Sequence, residues 1–288
     1  MKSKLFVPAS RPELFEKALN GPADALSFDL EDAVLEQHKE QARRQLADFL
    51  QTLERGTQPK TIIVRINDMS TSWFSDDLQA CMLETVNLIN IPKIESAEQM
   101  QDFFVAFDKA ASAIDKPPAV LVNIETPLAL VNAASIAAAD RRIAGLQLGL
   151  GDLFEPQGIH RYEPANVHHV MMQVRLAAGS AGVYAYDTAS ADIRNRDGYR
   201  QEAQLARSLG FLGKTCIHPS QVAIANEVFT PTQEEIEWAQ KIVESAGNTA
   251  HGAYVLDGQM IDVPFINKAK MILRQTAKTS THPGDNVE

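Results

Sequence analysis

Basic charge is in short supply in this sequence. Its 288 residues carry 27 lysines and arginines against 37 aspartates and glutamates, a net charge of −10. No stripe of cations runs along any segment, so a nucleic-acid partner is not expected. An arginine or lysine pocket inside that acidic envelope still leaves room for an anionic substrate. Cysteine is nearly absent. Cys81 and Cys216 sit in apolar contexts, give no disulfide framework, and read as buried thiols of a reducing cytoplasm. No His/Cys cluster has zinc-ligand spacing. No apolar run approaches the roughly 20 residues of a membrane helix, so no membrane span is expected. Residues 1–8 are charged and then briefly apolar, without the long apolar core of a secretory leader, so no leader is expected either.

What is present is a 45% hydrophobic chain, enough for a substantial core in one large α/β domain or two smaller ones. Strand-like and helix-like runs alternate from the start. Strands are expected over residues 5–7, 24–30, 61–66, 87–91, 120–124, 146–150, 183–186 and 214–217. Helices are expected over 11–20 (with Ser10 as N-cap), 39–54, 76–83, 96–113 (capped by Ser96), 128–139, 166–178 and 199–209. Alternation of this kind implies a parallel sheet with right-handed crossovers. Eight units in roughly 230 residues favour a closed (β/α)8 TIM barrel over an open doubly wound sheet. The barrel is expected over residues 1–229. A C-terminal helix–hairpin–helix extension is expected over 230–278, with Thr232 as a cap and Asp257-Gly258 as the hairpin turn. The tail over 279–288 is expected to be disordered. An appended hairpin and helices suit packing on a neighbouring subunit, so a homo-oligomer is expected.

The polar residues support the barrel more than the count does. Asp29, Glu31 and Asp32, Arg65 and Asn67, Lys93, Glu125, Asp152, Asp187 and His218 all fall at the C-terminal ends of strands, which a barrel brings to one face. Glu125 and Asp152 end consecutive strands and offer two hard oxygen ligands of the kind Mg²⁺ takes alongside water or substrate. Each also suits a solvated loop acid or a helix-start residue. Asp29, Glu31 and Asp32 suit acids that hold metal-bound waters or orient Arg65; a helix-start cluster is the plainer alternative. Arg65 ends a strongly apolar strand, where an unpaired charge is costly, so it must meet an anion, either a structural acid or substrate. His218, before Pro219, reads as structural. Residues 149–152 are weak as a phosphate loop. They better suit free backbone N–H groups that bind a carboxylate beside the metal.

Several stretches together are similar to a known family. They are Leu5-Phe6-Val7-Pro8-Ala9-Ser10-Arg11-Pro12, Asp29-Leu30-Glu31-Asp32-Ala33-Val34, Lys39 with Ala42-Arg43, and Val64-Arg65-Ile66-Asn67. Pro92-Lys93-Ile94-Glu95, Ile124-Glu125-Thr126, Gly149-Leu150-Gly151-Asp152-Leu153, Gly213-Lys214 with Ile217-His218-Pro219, and Met260-Ile261-Asp262 complete the set. The chain resembles the citrate lyase β-subunit-like branch of the HpcH/HpaI aldolase superfamily over nearly its whole length.

The resemblance implies a (β/α)8 barrel, often trimeric, that binds Mg²⁺ and acts on thioesters of coenzyme A or an acyl carrier. By the same resemblance, Glu125 and Asp152 match metal ligands and Arg65 the arginine facing the reacting thioester. Asp262 matches a catalytic acid that reaches the site from the neighbouring subunit. The backbone N–H groups of Gly151, Asp152 and Leu153 would hold the substrate carboxylate. The expected reaction is Mg²⁺-dependent carbon–carbon cleavage of a 3-hydroxyacyl thioester, with citramalyl-CoA or malyl-CoA preferred and a citryl thioester second. The alternatives are a malyl-CoA-type thioester hydrolase and a non-catalytic citrate-lyase-like subunit. Two positions depart from the family pattern. Ala9 replaces a usual glycine, and the loop over 154–161 differs from the commoner Leu/Gly-rich version.

Overall fold

The computed structural model describes residues 1–53, 59–247 and 253–277. The expected tail over 279–288 lies outside the described residues. The chain divides into two compact units, Met1–Phe229 and Thr230–Glu288.

In the first unit, strands alternate with helices. They are β1 (Ser3–Pro8), α1 (Phe15–Leu19), β2 (Ala25–Asp29), α2 (Lys39–Gln51), β3 (Thr61–Arg65), α3 (Phe74–Cys81), β4 (Leu88–Ile91) and α4 (Ala97–Ala110). Then follow β5 (Ala119–Ile124), α5 (Pro127–Val131), α6 (Ala133–Ala137), β6 (Ile143–Leu148), α7 (Leu150–Phe154), α8 (Pro164–Ser180), β7 (Tyr184–Tyr186), α9 (Arg196–Ser208), β8 (Lys214–Cys216) and α10 (Pro219–Phe229). The middle strands are mostly apolar because both faces of a parallel barrel sheet are covered, one by the interior and one by helices. Every residue of β2 and β4 is buried.

All eight strands pair in parallel, in the order β7-β6-β5-β4-β3-β2-β1-β8. The expected (β/α)8 barrel is the architecture found. Its seam between β7 and β8 is short. Asp187 bridges Lys214, and Leu212 N–H donates to the Ala185 carbonyl at 2.9 Å. Gly213 permits the approach of β8 to β1, since a Cβ there would lie 2.4 Å from the Met1 carbonyl oxygen. Asp187 therefore serves the seam. Its carboxylate takes Lys214 Nζ at 2.7 Å, with both side chains buried.

Beyond small shifts of element ends, local structure differs from expectation at the following points. Ser10 does not cap the first helix; its Oγ donates to the Ala33 carbonyl. The helix expected over 128–139 splits at Asn132, whose Nδ2 is drawn to the Glu95 carbonyl at 2.9 Å. Residues 150–154 form a helix, because Leu150, Leu153 and Phe154 bury one face at helical spacing. Asp152 thus sits in the first turn of α7, beyond the end of β6. Finally, α10 covers β8 where no helix was expected.

The second unit contains α11 (Gln233–Gly247), β9 (Tyr254–Leu256), β10 (Gln259–Ile261) and α12 (Val263–Ala277). Thr232 and Glu235 form a reciprocal capping box, with Glu235 N–H on Thr232 Oγ1 and Thr232 N–H on Glu235 Oε2. Asp257 (φ 50°) and Gly258 (φ 80°) are both left-handed, as the tight turn of a two-residue hairpin requires. Ala239, Ile242, Ile261, Ala269 and Ile272 make its small core.

The seam pair gives a direct test. Asp187→Ala leaves the buried Lys214 ammonium with only Glu202 and the Thr188 carbonyl, each at 3.1 Å, and losing one partner of a buried pair typically costs about 3–5 kcal/mol. Chemical denaturation should show a loss of that size. A loss within experimental error would mean the seam does not depend on the pair.

Candidate active site

The register of the first three strands sets the site. Pro8 aligns with Asp29, and Asp29 aligns with Arg65. Asp29 and Arg65 therefore end their strands at the same level, side by side. The Arg65 guanidinium grips Asp29 with both ends of its fork, Nε to Oδ1 at 2.8 Å and Nη2 to Oδ2 at 2.6 Å. Its remaining Nη1 meets Glu31 at 2.7 Å and Asp32 at 3.3 Å. Phe6 lies under the guanidinium, 5.0 Å from ring centre to Cζ.

The acids are themselves held. Asp29 accepts the Glu31 and Ala33 N–H groups, which folds the turn after β2 back over the strand end. Lys39 Nζ donates to the Leu30 and Glu31 carbonyls and to Asn67 Oδ1, pinning that turn from α2. Burial pushes the Glu31 carboxyl up to about 7; Arg65 opposes the shift, and the charges of Asp32 and Glu125 add to it.

Glu125 stands at the end of β5 and is buried. Its Oε1 accepts the Lys93 N–H at 2.8 Å and its Oε2 accepts Asn123 Nδ2 at 3.0 Å. Asn123 lies two residues earlier on the same strand face and is steadied by Asn90 Nδ2 at 2.8 Å. The Lys93 N–H points at Glu125 because Lys93 adopts φ 55°, a left-handed conformation costly for a side chain other than glycine. Gly149 packs flat against the carboxylate; a Cβ there would lie 2.7 Å from Glu125 Cβ and 2.9 Å from Oε2. Burial raises the Glu125 carboxyl above its ordinary range, and the nearby Asp152 charge adds to the shift.

These groups face a cleft of about 440 Å³ at the C-terminal ends of the strands, walled by Asp29, Arg65, Glu125, Gly151, Asp152 and Arg161 among others. The structure thus brings Arg65, Asp29, Asp32, Glu125, Gly151 and Asp152 onto one cleft, with Glu31 behind Arg65. Asp152 is exposed, and no protein group among the described residues bonds its carboxylate. Leu153 stands apart from these residues. Its N–H is committed to the Gly149 carbonyl at 3.1 Å as the first helical bond of α7, and its side chain is in the core. It has no donor left for a substrate. Asp262 lies in the second unit. Its carbonyl accepts the Ile266 N–H at the start of α12, and its Oδ1 is buried without a hydrogen-bond partner among the described residues.

Two carboxylates on one cleft, with no sulfur or imidazole among the residues lining it, fit a hard divalent cation. Among the described residues no group of three or more His, Cys, Asp or Glu is gathered to hold a metal. Such an ion would keep most of its coordination for water and substrate.

A family model described as HpcH/HpaI aldolase/citrate lyase matches residues 2–219. The chain belongs to that family. The citrate lyase subunit beta of Escherichia coli (strain K12) is 34% identical over 280 residues, covering 94% of this chain and 92% of that one. A (3S)-malyl-CoA thioesterase of Cereibacter sphaeroides (strain ATCC 17025) is 36% identical over 277 residues, covering 94% and 93%. The solved structure of CitE from Mycobacterium tuberculosis, in complex with magnesium, acetoacetate and coenzyme A, superposes with a TM-score of 0.75 at 33% identity, covering 96% of this chain and 97% of that one.

Gly149 supplies the sharpest check on this geometry. Gly149→Ala must displace Glu125, and overpacking of this kind costs about 1–3 kcal/mol. Chemical denaturation should show a stability loss in that range, the melting temperature should fall, and divalent-cation binding should weaken. An alanine variant with unchanged melting and cation affinity would contradict the packing described.

Proposed function

We propose that this chain is a Mg²⁺-dependent carbon–carbon lyase of a 3-hydroxyacyl thioester, with citramalyl-CoA or malyl-CoA as preferred substrate and a citryl thioester second. The observation that carries the reading is the meeting of Arg65, Glu125 and Asp152 on one cleft in a chain of this family. Glu125 and Asp152 would hold the ion; bound there, Mg²⁺ supplies Lewis acidity and a template for the hydroxyl and its neighbouring carboxylate. Gly149 and Asn123 fix the Glu125 carboxylate, so it does not reorganise during turnover.

The chemistry of the chain's own residues follows from charge. As the hydroxyl gives its proton to solvent water in the open cleft and the carbon–carbon bond breaks, the hydroxyl carbon becomes the carbonyl of a 2-oxo acid. The bonding pair passes to the thioester half as an enolate. Arg65, held rigid by Asp29, is a preorganised cation for the enolate oxygen. Asp262 of a neighbouring subunit would deliver a proton to the enolate carbon, completing the acetyl thioester. The second unit would then be an arm that completes the partner's site, with a homotrimer the favoured assembly. Among the described residues no helix is long and apolar enough to cross a membrane. The buried thiols of Cys81 and Cys216 suit a reducing compartment, and the reading places the enzyme in the cytoplasm.

A thioester hydrolase is the second reading, favoured by the 36% identity to a (3S)-malyl-CoA thioesterase. The products separate the two. With (S)-citramalyl-CoA and Mg²⁺, the lyase releases pyruvate and acetyl-CoA in equal amounts. Free CoA without pyruvate would instead establish the hydrolase. The shared site has its own test. Glu125→Ala and Asp262→Ala subunits, each inactive alone, should regain part of the activity when mixed, because one site of the mixed oligomer is intact. No recovery in verified mixed oligomers would remove Asp262 from the mechanism.

A further inference from the structure

Two cations stand on the wall of the cleft, Arg65 and Arg161. Arg65 already meets three carboxylates, those of Asp29, Glu31 and Asp32, and keeps one Nη2 hydrogen for the enolate oxygen. Arg161 has no carboxylate partner among the described residues. Its Nη2 donates to the Ala189 carbonyl, and its Nη1 lies 3.6 Å from where a Cβ on Gly151 would stand. The guanidinium is therefore at the Asp152 end of the cleft, with donors still open.

Its position is fixed, not accidental. Ala189 follows Thr188, and Thr188 Oγ1 accepts the Leu150 N–H at 3.2 Å. One short segment after β7 thus holds both the start of α7, which carries Asp152, and the arginine opposite it. Gly151 leaves the space between them open, since any side chain longer than a methyl would grow toward the guanidinium.

We propose that Arg161 anchors a carboxylate of the acid half of the substrate, the half that leaves as a 2-oxo acid; this rests on the lyase reading above. The Leu153 N–H is spent within α7, so part of the expected backbone cradle is missing. A guanidinium offers paired N–H donors in the plane of a carboxylate, a stronger and more selective grip than single amides. The phosphates of coenzyme A are a poorer match. The pantetheine arm carries them many bonds from the thioester, whereas Arg161 sits beside one of the two carboxylates that would hold the ion.

The test is calorimetric binding of pyruvate, oxaloacetate and CoA to the Mg²⁺-loaded protein, for wild type, Arg161→Gln and Arg161→Lys. Loss of charge-assisted hydrogen bonds should weaken 2-oxo acid binding in Arg161→Gln roughly tenfold to a hundredfold, with CoA affinity unchanged. Arg161→Lys keeps the charge without the fork and should fall between. If only oxaloacetate is affected, the arginine reads the carboxylate remote from the carbonyl; if both are, it reads the one beside it. Either result supports the anchor. Unchanged acid affinity in a variant that melts like wild type overturns it, as does a loss confined to CoA. Should Arg161→Gln melt early, Arg161→Lys decides, and undiminished acid binding there overturns the proposal. Wild-type protein that binds neither acid, nor glyoxylate as the acid half of malyl-CoA, overturns both this proposal and the lyase reading, whereas binding that the variants leave intact overturns this one alone.

Discussion

The charge of Arg65 is the constraint that shapes this site. A guanidinium at the end of an apolar barrel strand is tolerable only if carboxylates meet it with good geometry. Strand register places Asp29 beside it for a two-point grip. The turn after β2 then supplies Glu31 and Asp32, and Lys39 braces that turn. Three acids are thereby committed to one arginine. What remains on the cleft is a second pair, Glu125 and Asp152, with no protein cation committed to it by an ion pair among the described residues. The cleft thus separates two acidic groups, one neutralised internally by Arg65 and one with no such protein partner.

Around Glu125 the chain accepts several local costs. Lys93 takes a left-handed backbone so that its N–H reaches the carboxylate. Glu125 is buried at the price of a raised proton affinity. Gly149 gives up a side chain to let the carboxylate lie against the backbone. Costs of this kind concentrate where a structure must hold a group ready for chemistry rather than for stability.

Much of this was legible beforehand. Strand-length apolar runs tipped by single polar residues identify a parallel barrel and the face that matters, because the period and the C-terminal position follow from backbone geometry. Asn123 was also within reach, since it shares a strand face with Glu125 two residues away. Other features were not. The turn of Lys93 into positive φ has no local signature in Pro92-Lys93-Ile94. The helix at residues 150–154 hid behind its glycines, although Leu150, Leu153 and Phe154 carried the helical spacing. That helix is why the Leu153 N–H is unavailable. Asp187 resembled the other strand-end acids, and only the pairing of β7 with β8 reveals that it closes the barrel. Arg161 sits in an irregular loop, where no periodicity indicates which way a side chain points.

The proposed function rests on Glu125 and Asp152 together holding one divalent ion beside an anchored arginine. The most direct measurement is calorimetric titration of Mg²⁺ into wild type, Glu125→Gln and Asp152→Asn, with melting curves to verify the fold. The account predicts one ion per subunit in wild type and a large loss of affinity in each variant at unchanged melting temperature. Equal Mg²⁺ binding by wild type and both variants would contradict it.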